Sequence, residues 1–177
     1  MSAEELDRRI RDTIRDIPDF PKEGVVFKDI TTVLRDGKLF SDIIDHFADR
    51  YRGRDIDRIA GIESRGFIFG AALAHELEIG LTIVRKPGKL PYDTVGVDYA
   101  LEYGTDRVEV HTDAMDEGDR VVVIDDLLAT GGTCAATLKL MEQLGAEVVE
   151  TGFLIELGFL SGRDKMGDAP IYSLTCY

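Results

Sequence analysis

Two adjacent carboxylates followed by a glycine-rich loop are the residues of this chain best suited to chemistry. Asp125 and Asp126 follow the apolar run Val121–Ile124, and Thr130–Thr133 (TGGT) precede a helix-like segment. A helix start presents backbone N–H groups that bind anions, and glycine lets the backbone close around a phosphate. Carboxylates repel a phosphate, so they suit sugar hydroxyls or a cation instead. The stretch therefore predicts a binding site for a sugar phosphate.

Two common nucleotide-binding motifs do not fit this loop. Thr133 and Cys134 follow Gly132, whereas the loop of nucleotide triphosphatases requires a lysine there, and the loop lacks the Gly-x-Gly-x-x-Gly fingerprint. Taken separately, the acids could form a solvated turn and the glycines an ordinary loop. Taken together, a ribose 5-phosphate with Mg²⁺ would satisfy the phosphate loop, the hydroxyls and the carboxylates.

The whole stretch Val121–Thr133, VVVIDDLLATGGT, resembles the phosphoribosyl pyrophosphate signature of type I phosphoribosyltransferases, and DDLLATGGT is most similar to the adenine phosphoribosyltransferases. The resemblance implies an α/β fold of the type I kind: a central, mostly parallel sheet flanked by helices, with a small N-terminal hood and a flexible catalytic loop. It also implies a phosphoribosyl site formed by Asp125, Asp126, Ala129, Thr130, Gly131, Gly132 and Thr133. The implied cofactor is Mg²⁺, held mainly by the substrate and water, with no direct protein ligand.

A proline-rich segment near the N-terminus, IPDFPKEGVVFKDIT, has too irregular a pattern for a long helix or a clean strand. It resembles the hood of adenine phosphoribosyltransferases, which covers the base, and places the hood at about residues 18–34. The resemblance implies that the backbone groups of Val26 and Lys28 bind the adenine edge and that the Phe27 ring stacks on the base. The family often has arginine where this chain has Lys28.

A second strand, polar loop and helix occur earlier in the chain. Arg58–Ile62 is typical of a strand, and Glu63-Ser64-Arg65-Gly66 leads into the helix-like FIFGAALAHEL. One interpretation makes Ser64 a simple helix cap. The resemblance to the family's Ser-Arg-Gly-Phe element implies instead that Ser64 and Arg65 bind pyrophosphate, for which arginine's planar fork is suited. It also predicts a cis or strained Glu63–Ser64 peptide.

The segment from about residue 86 to 103 is rich in proline and glycine and predicts a long mobile loop, in which a short hairpin could form. Lys86 and Lys89 could neutralise a pyrophosphate, or the loop could simply be solvated. Tyr99–Gly104 resembles the Tyr-Ser-Leu-Glu-Tyr-Gly element of the family, with alanine at position 100 in place of serine. The resemblance implies that Glu102 and Arg65 are catalytic residues. It also implies that Tyr103 is the neighbour of Glu102 in the closed loop. A lone glutamate is more often a surface residue.

The remaining pattern supplies the elements that position these residues. Apolar residues at helical spacing predict helices over about 3–16 and 38–51. Apolar runs predict further strands at 81–84, 148–157 and 171–176. Strands alternating with helices indicate a parallel α/β sheet, and the length fits a single domain, 1–177.

Composition excludes several classes of partner. The net charge is −13 and the pI about 4.6, which disfavours nucleic acid and anionic membranes because both need a basic surface. A run of about 18 apolar residues, as a membrane helix needs, does not occur, and the first residues are charged, so we expect a cytoplasmic protein. Cys134 and Cys176 suggest neither a disulfide framework nor a zinc site. We expect Cys134 to be a packed small residue.

The resemblance extends over nearly the whole chain and implies one reaction. Adenine and 5-phosphoribosyl 1-pyrophosphate would give AMP and pyrophosphate, a step of purine salvage, in a homodimeric enzyme. Two alternatives stay open: a phosphoribosyltransferase for another purine, such as xanthine or hypoxanthine, and a non-catalytic regulator that senses phosphoribosyl pyrophosphate. The hood and Glu102 element favour adenine. A regulator would normally carry a DNA-binding module as well.

Overall fold

A computed structural model describes residues 1–101 and 104–177. The chain divides into two compact units, Met1–Arg50 and Tyr51–Tyr177. Within the described ranges, none of the helices combines the length and the apolar character needed to cross a membrane.

The first unit holds three helices and a two-stranded ribbon. In chain order these are α1 (Ala3–Thr13), β1 (Arg15–Pro18), β2 (Val26–Asp29), α2 (Thr31–Arg35) and α3 (Gly37–Tyr51), which ends one residue beyond the unit. The Ser2 hydroxyl caps α1 by accepting a hydrogen bond from the Glu5 N–H at 3.2 Å.

The predicted end of the first helix at about residue 16 is wrong. Helix α1 stops at Thr13, because residues 15–18 pair antiparallel with β2. Ile17, which continued the helical spacing in the sequence, lies opposite Phe27 in this ribbon. Pairing with a strand from elsewhere in the chain has overridden a local helical pattern.

The second unit is built on a five-stranded parallel sheet in the order β4-β3-β7-β8-β9. Helices and 3-10 turns connect the strands. The elements are β3 (Arg58–Ile62), α4 (Gly66–Leu77), β4 (Gly80–Val84), β5 (Thr94–Ala100), β6 (Thr105–His111), β7 (Arg120–Leu128), α5 (Gly132–Gln143), β8 (Glu147–Glu156), the turns Gly158–Leu160 and Gly162–Lys165, and β9 (Ile171–Cys176). The predicted α/β class with a parallel sheet is confirmed.

Strand β7 lies at the centre of the sheet, and its four apolar β-branched residues 121–124 are fully buried, as expected of a strand covered on both faces. Its pairing with β3 ends at Ile124, whereas its pairing with β8 continues to Leu128. Asp125 and Asp126 therefore lie within the last part of the strand. All five strands are parallel, so their carboxyl ends meet at one edge of the sheet.

Strands β5 and β6 form an antiparallel hairpin, paired from Thr94–His111 to Ala100–Thr105. The prediction for this segment was a long loop in which a short hairpin could form, and its second half is the first strand of this hairpin. Its alternate side chains Val95, Val97 and Tyr99 pack on the core that contains the buried face of α5. Residue Arg85, just after β4, is bridged to Glu109 of β6, which joins the hairpin to the end of the sheet.

Candidate active site

The loop between β7 and α5 is shaped by backbone contacts. Gly131 has a positive φ of +78°, and a Cβ atom there would overlap the carbonyl oxygen of Gly162. A Cβ atom on Gly162 would in turn overlap the carbonyl of Ala129. Glycine is required at both positions because each backbone lies against the other. Helix α5 begins at Gly132, so its first N–H groups lie in this loop.

An ion pair fixes the 3-10 turn that supports the loop. Arg163 donates two hydrogen bonds to the buried Glu156 carboxylate, each 2.6 Å long, and the Ser173 hydroxyl donates a third. The bonds from Arg163, opposed by burial and assisted by Ser173, lower the pKa of Glu156. Arg163 and Glu156 are residues that the sequence pattern did not single out.

A small cavity of about 90 Å³ lies at the loop, lined by Asp125 and residues 127–134. Thr130 is exposed and Thr133 is partly buried. Cys134 is buried, and burial together with the nearby Asp125 charge raises the pKa of its thiol well above the ordinary value. The thiol therefore stays protonated, which confirms Cys134 as a packed residue.

The two acids of β7 differ in their surroundings. Asp126 is only 5% exposed, and its Oδ2 lies 2.5 Å from Arg65 Nε. Asp125 is partly buried, and its Oδ1 accepts the N–H of Asp126 at 2.9 Å. Burial, followed by repulsion from Asp126, raises the pKa of Asp125 well above its ordinary value. The pair thus presents one carboxylate compensated by arginine and one that takes up a proton readily.

The loop after β3 lies against β7. A Cβ atom on Gly66 would lie 2.8 Å from both Asp125 Oδ1 and the Ile124 carbonyl oxygen, so only glycine permits this approach of α4 to the strand. The approach brings Arg65 to Asp126. The Glu63–Ser64 peptide is cis, which confirms the prediction for this bond. Ser64 is exposed at the same edge.

Glu63 gathers the basic residues that follow β4. Its carboxylate accepts hydrogen bonds from the Lys89 ammonium, from the Lys86 backbone N–H at 2.8 Å and from Arg85 Nε at 3.4 Å. Although burial opposes it, these bonds lower the pKa of Glu63. Lys89 therefore lies at the same edge as Ser64, paired with a carboxylate of this chain.

Lys86 belongs to a cluster at the hairpin. Its ammonium pairs with Asp106 and donates to the Tyr99 hydroxyl at 2.6 Å. The same hydroxyl donates to Asp106 at 2.9 Å and accepts from the Thr133 hydroxyl at 3.0 Å. Tyr99 and Asp106 are residues that sequence reasoning did not single out. The structure joins Lys86 and Thr133, predicted for two different phosphates, through one tyrosine hydroxyl.

The three residues predicted to bind adenine lie on β2, in the first unit. Val26 is 53% exposed. Phe27 meets Phe20 edge to face, with ring centroids 5.1 Å apart. The Lys28 ammonium pairs with Asp16 of β1 at 2.7 Å.

The predicted catalytic Glu102 and its neighbour Tyr103 lie outside the described residues. Leu101 and Gly104, which flank them in the sequence, are joined by a hydrogen bond of 3.0 Å from the Leu101 N–H to the Gly104 carbonyl. Over residues 1–101 and 104–177, the structure contains no group of three or more His, Cys, Asp or Glu side chains able to hold a metal ion.

Comparison with known proteins gives consistent matches. Residues 30–171 match the phosphoribosyl transferase domain family. An adenine phosphoribosyltransferase of Syntrophotalea carbinolica is 59% identical over 165 residues, which are 93% of this chain and 96% of that protein. The crystal structure of an adenine phosphoribosyltransferase from Thermoanaerobacter pseudethanolicus has 53% identity and a TM-score of 0.93, covering 99% of this chain and 100% of the other. The Saccharomyces cerevisiae enzyme, solved with an imino-altritol bisphosphate and adenine, has 39% identity and a TM-score of 0.92, covering 97% and 99%.

Proposed function

This chain belongs to the phosphoribosyltransferase family, and we infer that it transfers the phosphoribosyl group of 5-phosphoribosyl 1-pyrophosphate to adenine, giving AMP and pyrophosphate in purine salvage. The observation that carries this function is the single sheet edge that holds the β7–α5 loop, the Asp125–Asp126 pair and Arg65. Adenine as the base is supported by relatives that are adenine phosphoribosyltransferases at 59% and 53% identity.

The 5-phosphate of the substrate binds residues 129–133 in this proposal. The loop offers the N–H groups at the start of α5, and the helix dipole favours an anion there. The contact with Gly162 holds the loop in shape before any ligand enters, so little ordering is needed on binding.

The ribose hydroxyls bind Asp125 and Asp126. Positive charge develops at C1′ as pyrophosphate departs, and a nearby carboxylate stabilises that charge. Asp126 faces Arg65, and Asp125 takes up a proton readily because of burial and its neighbour. In this proposal both side chains offer oxygen atoms that accept hydrogen bonds from the ribose hydroxyls.

Pyrophosphate binds Ser64, Arg65, Lys86 and Lys89. Three of these carry positive charge, and each is paired with a carboxylate of this chain at the edge of the sheet. The implied Mg²⁺ would be held mainly by oxygen atoms of the substrate and by water, because this cation prefers oxygen ligands. When bound, it offsets negative charge and makes pyrophosphate a better leaving group.

Adenine binds the hood at Val26, Phe27 and Lys28 and attacks C1′ through N9. Val26 is exposed on β2, and the neighbouring Phe27 supplies an aromatic face that suits a flat base. Glu102 acts on the proton of the imidazole ring, with Tyr103 beside it, and closure of the chain around these two residues excludes water.

The proposal includes one catalytic domain, 1–177, with the hood at about 18–34, in a cytoplasmic homodimer. Dimer formation is supported by exposed apolar side chains at the edge strand of the sheet and on the adjacent helix: Leu81 and Ile83 of β4 and Ile68 of α4, which are 37–39% exposed. Such a patch is typical of an interface. Sedimentation analysis tests the dimer, and replacing Ile83 with glutamate should shift it to monomer.

The reaction is tested by incubating the protein with Mg²⁺, phosphoribosyl pyrophosphate and each of adenine, hypoxanthine, guanine and xanthine. AMP is expected to be the only nucleotide formed. Product from another base would retain the transferase and refute the proposed adenine site. Binding of phosphoribosyl pyrophosphate without any product would favour the sensing regulator.

A further inference from the structure

Asp106 is a carboxylate of β6 that holds Lys86 beside the proposed pyrophosphate site. Its Oδ2 accepts hydrogen bonds from the Lys86 ammonium and the Tyr99 hydroxyl, while Oδ1 accepts the backbone N–H of Arg107 at 2.8 Å. Asp106 is thus fixed by its own strand on one side and presents the other oxygen to Lys86. Arg65 and Lys89 have different carboxylate partners, so this pairing is particular to Lys86.

The Lys86–Asp106 pair is partly shielded from water. The two side chains are 33% and 31% exposed. Burial opposes it, but the bonds to Asp106 and Tyr99 raise the pKa of Lys86, and the bond from Lys86 lowers the pKa of Asp106. Both groups are charged at neutral pH, and a partly buried pair of charges is harder to separate than a fully exposed one.

We propose that Asp106 sets the affinity of the enzyme for pyrophosphate by competing with it for Lys86. The inference rests on the proposed function, in which Lys86 binds pyrophosphate. An ammonium has three protons, and two of those on Lys86 point to Asp106 and Tyr99. When a pyrophosphate oxygen binds Lys86, its binding energy must therefore compensate for the loss of the Lys86–Asp106 ion pair.

Competition gives a result opposite to that of a supporting role. If Asp106 supported the site, its removal would weaken pyrophosphate binding. If Asp106 competes, an uncharged residue of the same shape leaves Lys86 available and strengthens binding of both pyrophosphate and phosphoribosyl pyrophosphate. The side chain of asparagine is nearly isosteric and still accepts the Arg107 N–H.

The test uses the full chain with Asp106→Asn and measures binding of pyrophosphate in the presence of Mg²⁺ by calorimetry. The expected result is a dissociation constant lower by about threefold to tenfold, the range of a partly shielded ion pair. The KM for phosphoribosyl pyrophosphate should fall in parallel. Asp98→Asn is the matched control, because Asp98 lies on the same hairpin and pairs with Arg107. It removes the same charge, so a change below about twofold is expected.

A double variant shows whether the effect passes through Lys86. In a Lys86→Met background, Asp106→Asn should no longer strengthen pyrophosphate binding. A second route is Tyr99→Phe, which removes the hydroxyl and keeps the ring, so a smaller gain of about twofold is expected. Thermal unfolding confirms that each variant is folded.

Unchanged or weaker pyrophosphate binding in both Asp106→Asn and Tyr99→Phe, with AMP synthesis retained, would overturn the inference alone. A gain that persists in the Lys86→Met background would also overturn it. Failure of the wild-type chain to form AMP would refute the proposed function, and the inference with it.

Discussion

The two sides of the site that face phosphate groups in the proposed reaction are constructed differently. The shape of the 5-phosphate loop is fixed by contacts between backbone atoms, because neither Gly131 nor Gly162 has room for a Cβ atom. The pyrophosphate side consists of long cationic side chains, each paired with an acid of this chain: Arg65 with Asp126, Lys86 with Asp106 and Lys89 with Glu63.

This difference separates two ways of binding the same chemical group. A backbone loop is preformed, so its binding energy is reduced little by reorganisation. Paired cations must exchange one anion for another, so their net contribution is the difference between two sets of ion pairs. The first side should therefore be sensitive to shape and the second to charge.

The largest effect is expected from Gly131→Ala, which disrupts the backbone contact that shapes the 5-phosphate loop. The new Cβ atom meets the Gly162 carbonyl, so AMP synthesis should fall about a hundredfold or more as the loop loses its geometry. Chemical denaturation should show an unfolding free energy lower by ~2–4 kcal/mol. Gly118→Ala is the control, because Gly118 also has a positive φ but has open space around it. Similar activity in both variants would contradict the role of the contact.

Arg65→Met tests the pyrophosphate side at Asp126, the most buried of its three acids. It removes the proposed pyrophosphate contact and leaves Asp126 without that guanidinium, so kcat/KM should fall about thirtyfold to hundredfold. Arg65→Lys keeps the charge but loses the planar fork. Its unfolding free energy should stay closer to wild type than that of Arg65→Met, while most of the activity is lost. Wild-type activity in Arg65→Lys would show that charge alone suffices.

Arg163→Met weakens the ion pair that supports the 5-phosphate loop and leaves the residues of the proposed site unchanged. Glu156 would lose two hydrogen bonds, and stability at pH 7 should fall by ~1–2 kcal/mol. The pKa of Glu156 is lowered in the fold, so its stabilising effect is present above the ordinary value of 4.5 and is lost as pH falls below it. The difference from wild type should shrink between pH 7 and pH 3.5, as measured by denaturant titration. A constant difference would exclude this charge as the cause.

The smallest effect is expected from Lys89→Met. Lys89 is 46% exposed and paired with Glu63, so its net contribution is small and the KM for phosphoribosyl pyrophosphate should rise only about twofold to threefold. Lys139→Met, at an exposed position of α5, removes the same charge and should leave steady-state kinetics unchanged. A tenfold rise in KM for Lys89→Met would mean that Lys89 binds pyrophosphate much more strongly than it binds Glu63.

The central strand, the glycine loop and the following helix could be predicted from the sequence alone. These features depend on neighbours in the chain: apolar β-branched residues form a buried strand, and glycine permits the positive φ of residue 131. The strands at Arg58–Ile62 and Ile171–Cys176 were predicted for the same reason. The predicted helix end at about residue 16 was wrong, because residues 15–18 pair with β2 instead.

Which side chains and backbone groups contact one another depends on the tertiary structure. The pairings of Lys86 with Asp106, Arg163 with Glu156 and Gly131 with Gly162 join residues that are 20, 7 and 31 positions apart in the sequence. The hairpin depended on packing of Val95, Val97 and Tyr99 against the core, within a segment that also carries loop-forming residues. Local patterns specify the type of an element, but in a chain with 21 basic and 34 acidic residues they do not specify the partner of any one charge. The partner follows from the distance that the folded sheet imposes.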